Sequence, residues 1–412
     1  MSDIYTGIDI GTDSIKIIVL EKINDDYHVL ASCCSKSAGI ENGFITDTKV
    51  AVNSVKAAVK KINEMLGIKI SKAIVCIPPT NCKMNIVNGK AAVLDYNEIT
   101  GADISNVLID AIKKEDYQTE EIVTAMPISF NVDGKPNIDD PKGMKGANLE
   151  TRVVISTTEK EPLYRILEVL KLAGIDAVDL CYSSFGDYYA CKDKKTDDEV
   201  GAIINIGEAS TNISIFNKGI QIKNTVIPVG SRNVDKDLTY IYKTKMSESR
   251  KIKENFAVAL SSYADSNDVW KAEVDRGVIK EINQVDISKV VEARVRETLK
   301  LAKNEIKNLT NREIRYIIIT GGLSELAGFN YLVEQELGFV ASVCNITTMG
   351  IRHNKYSSCL GTIKYFNDKL DLRGKHYNML TKEEEQILTS GDEKNIPNES
   401  VIKKVFGHFF DD

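Results

Sequence analysis

The chain has 412 residues, 43% of them hydrophobic, enough to bury more than one core, so two or more lobes are expected rather than one domain. Its 53 basic residues against 59 acidic ones leave a net charge of −6, a surface that offers nothing to nucleic acid. Eight cysteines without CxxC spacing and four scattered histidines argue against a metal centre or a disulfide, and with no leader pattern and no apolar run of about 18 residues the chain is expected in a reducing cytoplasm.

Residues 7–20, GIDIGTDSIKIIVL, read as strand, tight turn and strand. The turn Gly11-Thr12-Asp13-Ser14 gathers backbone N–H groups and two hydroxyls into one concavity with Lys16 close behind, which suits phosphate oxygens; an ordinary hairpin with a polar tip has the same spelling. A strand over 27–34 and a helix over 47–66 follow, the helix opened by Asp47 and carrying Val52, Val55, Ala58, Val59, Ile62 and Leu66 on one face. Residues 72–77 form a buried-type strand stopped by Pro78-Pro79.

From about Met84 to Thr158 the pattern changes. A helix over 100–114, opened by Thr100 and Asp103, precedes strands at 121–126 and 149–157, with a Gly/Pro/Asp loop between them. Helix 162–172 and strand 177–181 then lead to Tyr182-Ser183-Ser184. Residues 202–216, AIINIGEASTNISIF, repeat the opening hairpin. Gly207 lies 196 residues after Gly11 (207 − 11), and Asp9/Asn205, Ser14/Ser210, Ile17/Ile213 and Val19/Ile215 share that offset, the signature of an internal duplication. Two such hairpins facing each other imply a two-lobed nucleotide-binding protein.

Strand 220–228 ends at Gly230, where a helix starting near Ser231 is expected to aim its N-terminus at phosphate. Helix 247–255 precedes a charged, poorly periodic stretch to Asp286, and helix 286–309 carries Val290, Val291, Val295, Leu299, Ala302 and Ile306 on one face. An apolar strand over 316–320 runs into Gly321-Gly322, where backbone without side chains admits a flat ring. Helices over 328–337 and 357–366 close the lobe. Beyond Asp368 the composition turns polar and reads as a linker. Residues 398–412 then place Val401, Ile402, Val405, Phe406, Phe409 and Phe410 on one helical side, the outline of an amphipathic membrane-surface helix, which the preceding linker favours over a helix docked on protein with the same stripe.

The hairpins beginning at Asp9 and Asn205, together with Ile319-Thr320-Gly321-Gly322, resemble the phosphate-1, phosphate-2 and adenosine motifs of the actin and sugar-kinase ATPase superfamily, and within it the FtsA family of bacterial cell-division proteins. The loop DDPKGMKG (139–146) is similar to a loop of that family's inserted subdomain. The resemblance implies an α/β, actin-like ATPase fold of two lobes of duplicated β-hairpin/βαβ subdomains. Its parts would be a first core at 1–83 and 159–199, the FtsA-type 1C insertion at 84–158, a second core at 200–240 and 287–368, a small 2B subdomain at 241–286, a flexible linker at 369–397 and a membrane-targeting helix at 398–412.

It also implies ATP with Mg²⁺. Gly11, Thr12, Asp13, Ser14, Lys16, Gly207, Glu208, Ala209, Ser210 and Gly230 would hold phosphate, and Lys253, Gly321, Gly322 and Leu323 the adenosine. Asp9 and Asn205 would hold the metal through water. The implied partners are the C-terminal tail of FtsZ near Arg294, further copies of the chain in a filament, other division proteins at the insertion, and lipid at the six apolar tail residues. Two departures stand out: Asn205 replaces the family's Asp and Glu208 adds negative charge to a phosphate loop, while Tyr182-Ser183-Ser184 offers no Gln or Glu to orient a water, so weak hydrolysis is expected. The alternatives are a PilM-like scaffold of a pilus assembly and a sugar or acetate kinase, the latter lacking both a catalytic acidic base here and a use for the tail.

Overall fold

The computed structural model describes residues 3–274 and 277–390, which fall into two units: 3–190 with 347–352 and 358–390, and 191–346 with 353–357. The chain opens with β1 (Asp3–Ile10), β2 (Ser14–Ile23) and β3 (Asp26–Lys36), an antiparallel meander, then a two-stranded ribbon of β4 (Ile40–Glu41) and β5 (Phe44–Ile45). Helix α1 (Thr48–Leu66) starts where the Val50 N–H donates to the Asp47 carboxylate (3.0 Å) and ends at the left-handed Gly67. Its buried face is the stripe expected from the sequence, extended by Ala51. Strand β6 (Lys72–Ile77) pairs parallel to β1.

The insertion consists of β7 (Lys83–Ala92), α2 (Gly101–Lys113), β8 (Glu120–Val132), β9 (Lys135–Ile138) and β10 (Asn148–Glu159), with sheet order β7-β10-β8-β9. Both the N–H and the hydroxyl of Thr100 donate to Asp103 (2.8 Å each), locking the first turn of α2 over a core that includes Val107, Leu108, Phe130, Leu149 and Val153. Strands β7 and β9 are absent from the sequence reading. They are edge strands with largely exposed side chains, so neither carries a strong alternation of apolar residues.

Helix α3 (Lys160–Leu172), with Pro162 tolerated in its first turn, leads to β11 (Asp176–Tyr182), which completes the sheet β11-β6-β1-β2-β3. Helix α4 (Ser183–Cys191) follows.

The second unit contains the short α5 (Lys194–Asp198) and the strands β12 (Val200–Ile206), β13 (Thr211–Asn217) and β14 (Ile220–Ile227). Next come α6 (Ser231–Tyr242), α7 (Met246–Asn255), and the ribbon of β15 (Val269–Glu273) and β16 (Ile279–Asn283). Helix α8 (Gln284–Leu309), β17 (Tyr316–Thr320), α9 (Phe329–Leu337) and β18 (Ala341–Val343) give the sheet order β14-β13-β12-β17-β18. Its core joins Ile204, Ile206, Ile213 and Ile319 of the sheet to Val291, Val295, Leu299 and Ala302 of α8.

Two expectations fail here. Cys191 is bonded to Cys344 across 153 residues, against the reading of eight free thiols; no local spacing rule can reveal a pair that distant in sequence. The linker expected over 369–397 does not hold across 369–390. Helix α10 (Ser357–Leu372) runs further than foreseen, and α11 (Lys382–Ser390) follows. Between them Met379 is buried: its N–H donates to the Ile4 carbonyl (3.1 Å), and the Thr6 N–H donates to its sulfur (3.1 Å). β6 pairs with β1 only at Gly7–Asp9, so the free edge of Ile4–Thr6 accepts this segment, a partner that composition cannot show. Residues 398–412 lie outside the described residues. Among those described, no helix is long and apolar enough to cross a membrane.

Candidate functional site

In the first unit, the antiparallel register of β1 and β2 sets Asp9 opposite Lys16 and Ile10 opposite Ile15, and the Gly11 N–H closes the turn on the Ser14 carbonyl (3.1 Å). The tip is pinned from both sides. The Thr12 hydroxyl oxygen accepts from the Gly43 N–H (3.1 Å), and the Asp13 carbonyl accepts from the Ser37 N–H (2.8 Å). Lys16 is not a loose cation behind the turn: its Nζ donates to Asp9 Oδ2 at 2.8 Å, with both side chains largely buried. Burial opposes the charge on Lys16, but Asp9 outweighs it and holds the ammonium above its ordinary pKa range. One Asp9 oxygen is thereby committed.

The second unit repeats this geometry at the same offset. Asn205 stands opposite Asn212, Ile206 opposite Thr211, and the Gly207 N–H closes on the Ser210 carbonyl (2.9 Å). Both members of the first hairpin's ion pair are therefore neutral amides in the second. The N–H groups of Glu208, Ala209 and Ser210 have no acceptor among the described residues, and neither has the Ser210 hydroxyl a partner. Three successive donors on a Gly turn form an anion nest. Asn212 was recoverable from the sequence, since Lys16 carries the same 196-residue offset.

Gly230 departs from expectation. Its N–H donates to the Asn233 side chain (3.1 Å), while the next two amides of α6, Ser231 and Arg232, donate to the Gly207 and Glu208 carbonyls (2.9 Å each). The N-terminus of α6 is spent latching onto the hairpin rather than presented to phosphate. A Cβ at Gly230 would stand 2.5 Å from the Glu208 carbonyl oxygen, so only glycine permits this approach.

Glu208 turns inward. Its Oε1 accepts from Arg232 Nε, and its Oε2 is buried with no hydrogen-bond partner among the described residues. β17 runs parallel beside β12, placing Thr320 opposite Asn205, and Gly321, at φ +94°, packs against Asn205 and Ile206. A Cβ at Gly322 would meet only open space, and Leu323 is buried. Lys253 is also buried, its Nζ 2.9 Å from Asp235 Oδ1 and 3.3 Å from the Ser231 carbonyl, so it ties α7 to the start of α6. Burial raises the Asp235 pKa, and the Lys253 charge pulls it back only in part.

Arg294 lies elsewhere in this unit. Its guanidinium forks onto Asp237 (2.6 and 3.0 Å) and reaches Glu297 (2.7 Å), so it is not the free surface charge its position on α8 suggests. Arg232, Asp235 and Asp237 were not singled out in the sequence; each lies within seven residues of Gly230, on the helix it starts. In the first unit, α4 opens with Ser183-Ser184, and the nearest acid, Asp187, is buried and accepts from the Ser358 hydroxyl (2.7 Å). The predicted lipid-facing residues Val401, Ile402, Val405, Phe406, Phe409 and Phe410 lie outside the described residues.

A family model described as "Cell division protein FtsA" matches residues 202–361, and one described as "SHS2 domain inserted in FTSA" matches 80–157. The cell division protein FtsA of Bacillus subtilis (strain 168) is 27% identical over 386 residues, covering 93% of this chain and 88% of its own. Among solved structures, the PilM-PilN type IV pilus biogenesis complex aligns at a TM-score of 0.57 with 12% identity, covering 87% of this chain and 98% of its own. MreB5 of Spiroplasma citri bound to ADP aligns at 0.55 with 11% identity, covering 90% and 98%. The two likenesses to solved structures establish an actin-like fold.

Proposed function

The chain belongs to the FtsA family of actin-like cell-division proteins, and on that premise we propose that it binds ATP with Mg²⁺, self-associates into filaments, and holds FtsZ filaments at the inner face of the cell membrane at the division septum. The observation that carries the nucleotide reading is the second hairpin, which repeats the first in register and closing hydrogen bond and leaves three consecutive N–H groups free to meet phosphate oxygens. This donor set fits a triphosphate. For the metal, Asp9 is the one predicted ligand with a charge, since Asn205 is neutral, so Mg²⁺ would be held mainly through phosphate and water. Bound ATP would act as a structural ligand or slow switch.

The residues argue against fast turnover. A water needs an orienting carboxylate or amide, Ser183 and Ser184 supply neither, and Asp187 is turned to Ser358. Purified protein should bind ATP yet release phosphate near the background rate. Brisk release that disappears in Asp9→Ala would overturn this. Asn205→Asp should make ATP affinity more dependent on Mg²⁺, and an unchanged dependence would move the metal elsewhere.

The FtsZ tail is assigned to the region of α8, where Arg294 would have to share a guanidinium already held by Asp237 and Glu297. Other division proteins would meet the inserted domain at 84–158, and residues 398–412 would lie on lipid. The sequence relatives and the inserted-domain match support this reading over a pilus scaffold, for which the fold alone speaks.

A further inference from the structure

We propose that Arg232 is a side-chain phosphate ligand of the second hairpin, supplying from α6 the cation that this hairpin lacks, with Glu208 positioning it. The inference rests on the nucleotide reading above and adds a residue to that same site. The duplicated hairpins differ in the cation beside them. The first carries Lys16 on its second strand, whereas the equivalent position of the second is Asn212, opposite another neutral amide. A nest of backbone N–H groups supplies partial charges only, and a triphosphate carries several full negative charges.

Arg232 is the cation at hand. Its amide is fixed to the Glu208 carbonyl and its Nε is bonded to Glu208 Oε1, so backbone and side chain are both held to a residue of the turn whose N–H groups are free. The two terminal nitrogens have no partner among the described residues, and the side chain is 41% exposed while Glu208 is 17% exposed. A guanidinium held by Nε and open at its Nη atoms presents a planar fork suited to two phosphate oxygens. Glu208, which on its own would repel phosphate, is neutralised by the same contact.

The test is calorimetric titration of the full-length protein with ATP and, separately, adenosine. Arg232→Ala should weaken ATP binding by about tenfold or more, the worth of a charge-assisted bidentate contact, and leave adenosine affinity unchanged. In a Glu208→Gln background the same change should cost a similar factor. If the double variant binds ATP as tightly as the unaltered protein, Arg232 serves only to neutralise Glu208 and the assignment is wrong. Equal loss of ATP and adenosine affinity would also overturn it, by showing damage to the hairpin. If the unaltered protein binds ATP and Arg232→Ala binds it equally well, the assignment falls alone; if the unaltered protein binds no nucleotide, the nucleotide reading falls and takes the assignment with it.

Discussion

Gly361→Val should melt the protein well below the unaltered chain. Gly361 on α10 faces Gly186 on α4, and a Cβ there would stand 1.7 Å from the Gly186 carbonyl oxygen and 2.6 Å from the Ala190 nitrogen. The contact is reciprocal, since a Cβ at Gly186 would stand 2.2 Å from the Ser358 carbonyl oxygen. Both obstacles are backbone atoms within helices, so no side-chain rotation relieves them. The helices must separate, which opens the packing around Phe185, Tyr188, Leu360 and Ile363, all buried. Overpacking of this kind costs about 3 kcal/mol or more. At about 2–4 °C per kcal/mol, the melting temperature should fall by roughly 6–12 °C. Gly67→Ala is the control: that position is left-handed but has nothing within 4 Å, so its cost should be about 1 kcal/mol. Thermal unfolding followed by circular dichroism decides it, and a Gly361→Val midpoint no lower than that of Gly67→Ala would refute the helix contact.

The second large effect concerns the tail. The six apolar residues Val401, Ile402, Val405, Phe406, Phe409 and Phe410 have the spacing that would set them on one side of a helix. Each contributes about 1.5–3 kcal/mol if fully buried, so even partial insertion yields several kcal/mol after ordering costs. Electrostatics adds little: Lys403 and Lys404 are outnumbered by Glu399, Asp411 and Asp412, a net charge of −1 over residues 398–412. Liposome binding should therefore be nearly insensitive to salt and favoured by loosely packed lipid. Deleting residues 401–412, or changing Phe406 and Phe409 to Glu, should lower partitioning by about a hundredfold or more and leave ATP affinity intact. Undiminished sedimentation of the truncated protein with liposomes would show that the stripe packs against protein.

What could be read in the sequence was local. The hairpins were legible because a Gly turn between β-branched runs fixes its own hydrogen bonds, and their duplication because the copies keep one offset from Asp9 to Val19. Helices α1 and α8 were legible from the 3.6-residue period of their buried faces. What escaped was set by distant partners. Lys16 and Arg294 looked like free cations; one pairs across a strand with Asp9 and the other with Asp237, 57 residues away. Gly230 looked like a phosphate donor because a helix starts beside it, but the carbonyls that consume the next two N–H groups belong to the preceding hairpin. Cys191 and Cys344, and the seat of Met379 on β1, are likewise products of the fold rather than of any local pattern.

The tethering role is tested most directly by floating FtsZ filaments with liposomes in the presence of ATP, with and without this protein. FtsZ should rise with the lipid only when the full-length chain is added, and should stay below when residues 401–412 are deleted or when FtsZ lacks its C-terminal tail. FtsZ remaining at the bottom while the full-length chain itself floats would contradict the tether.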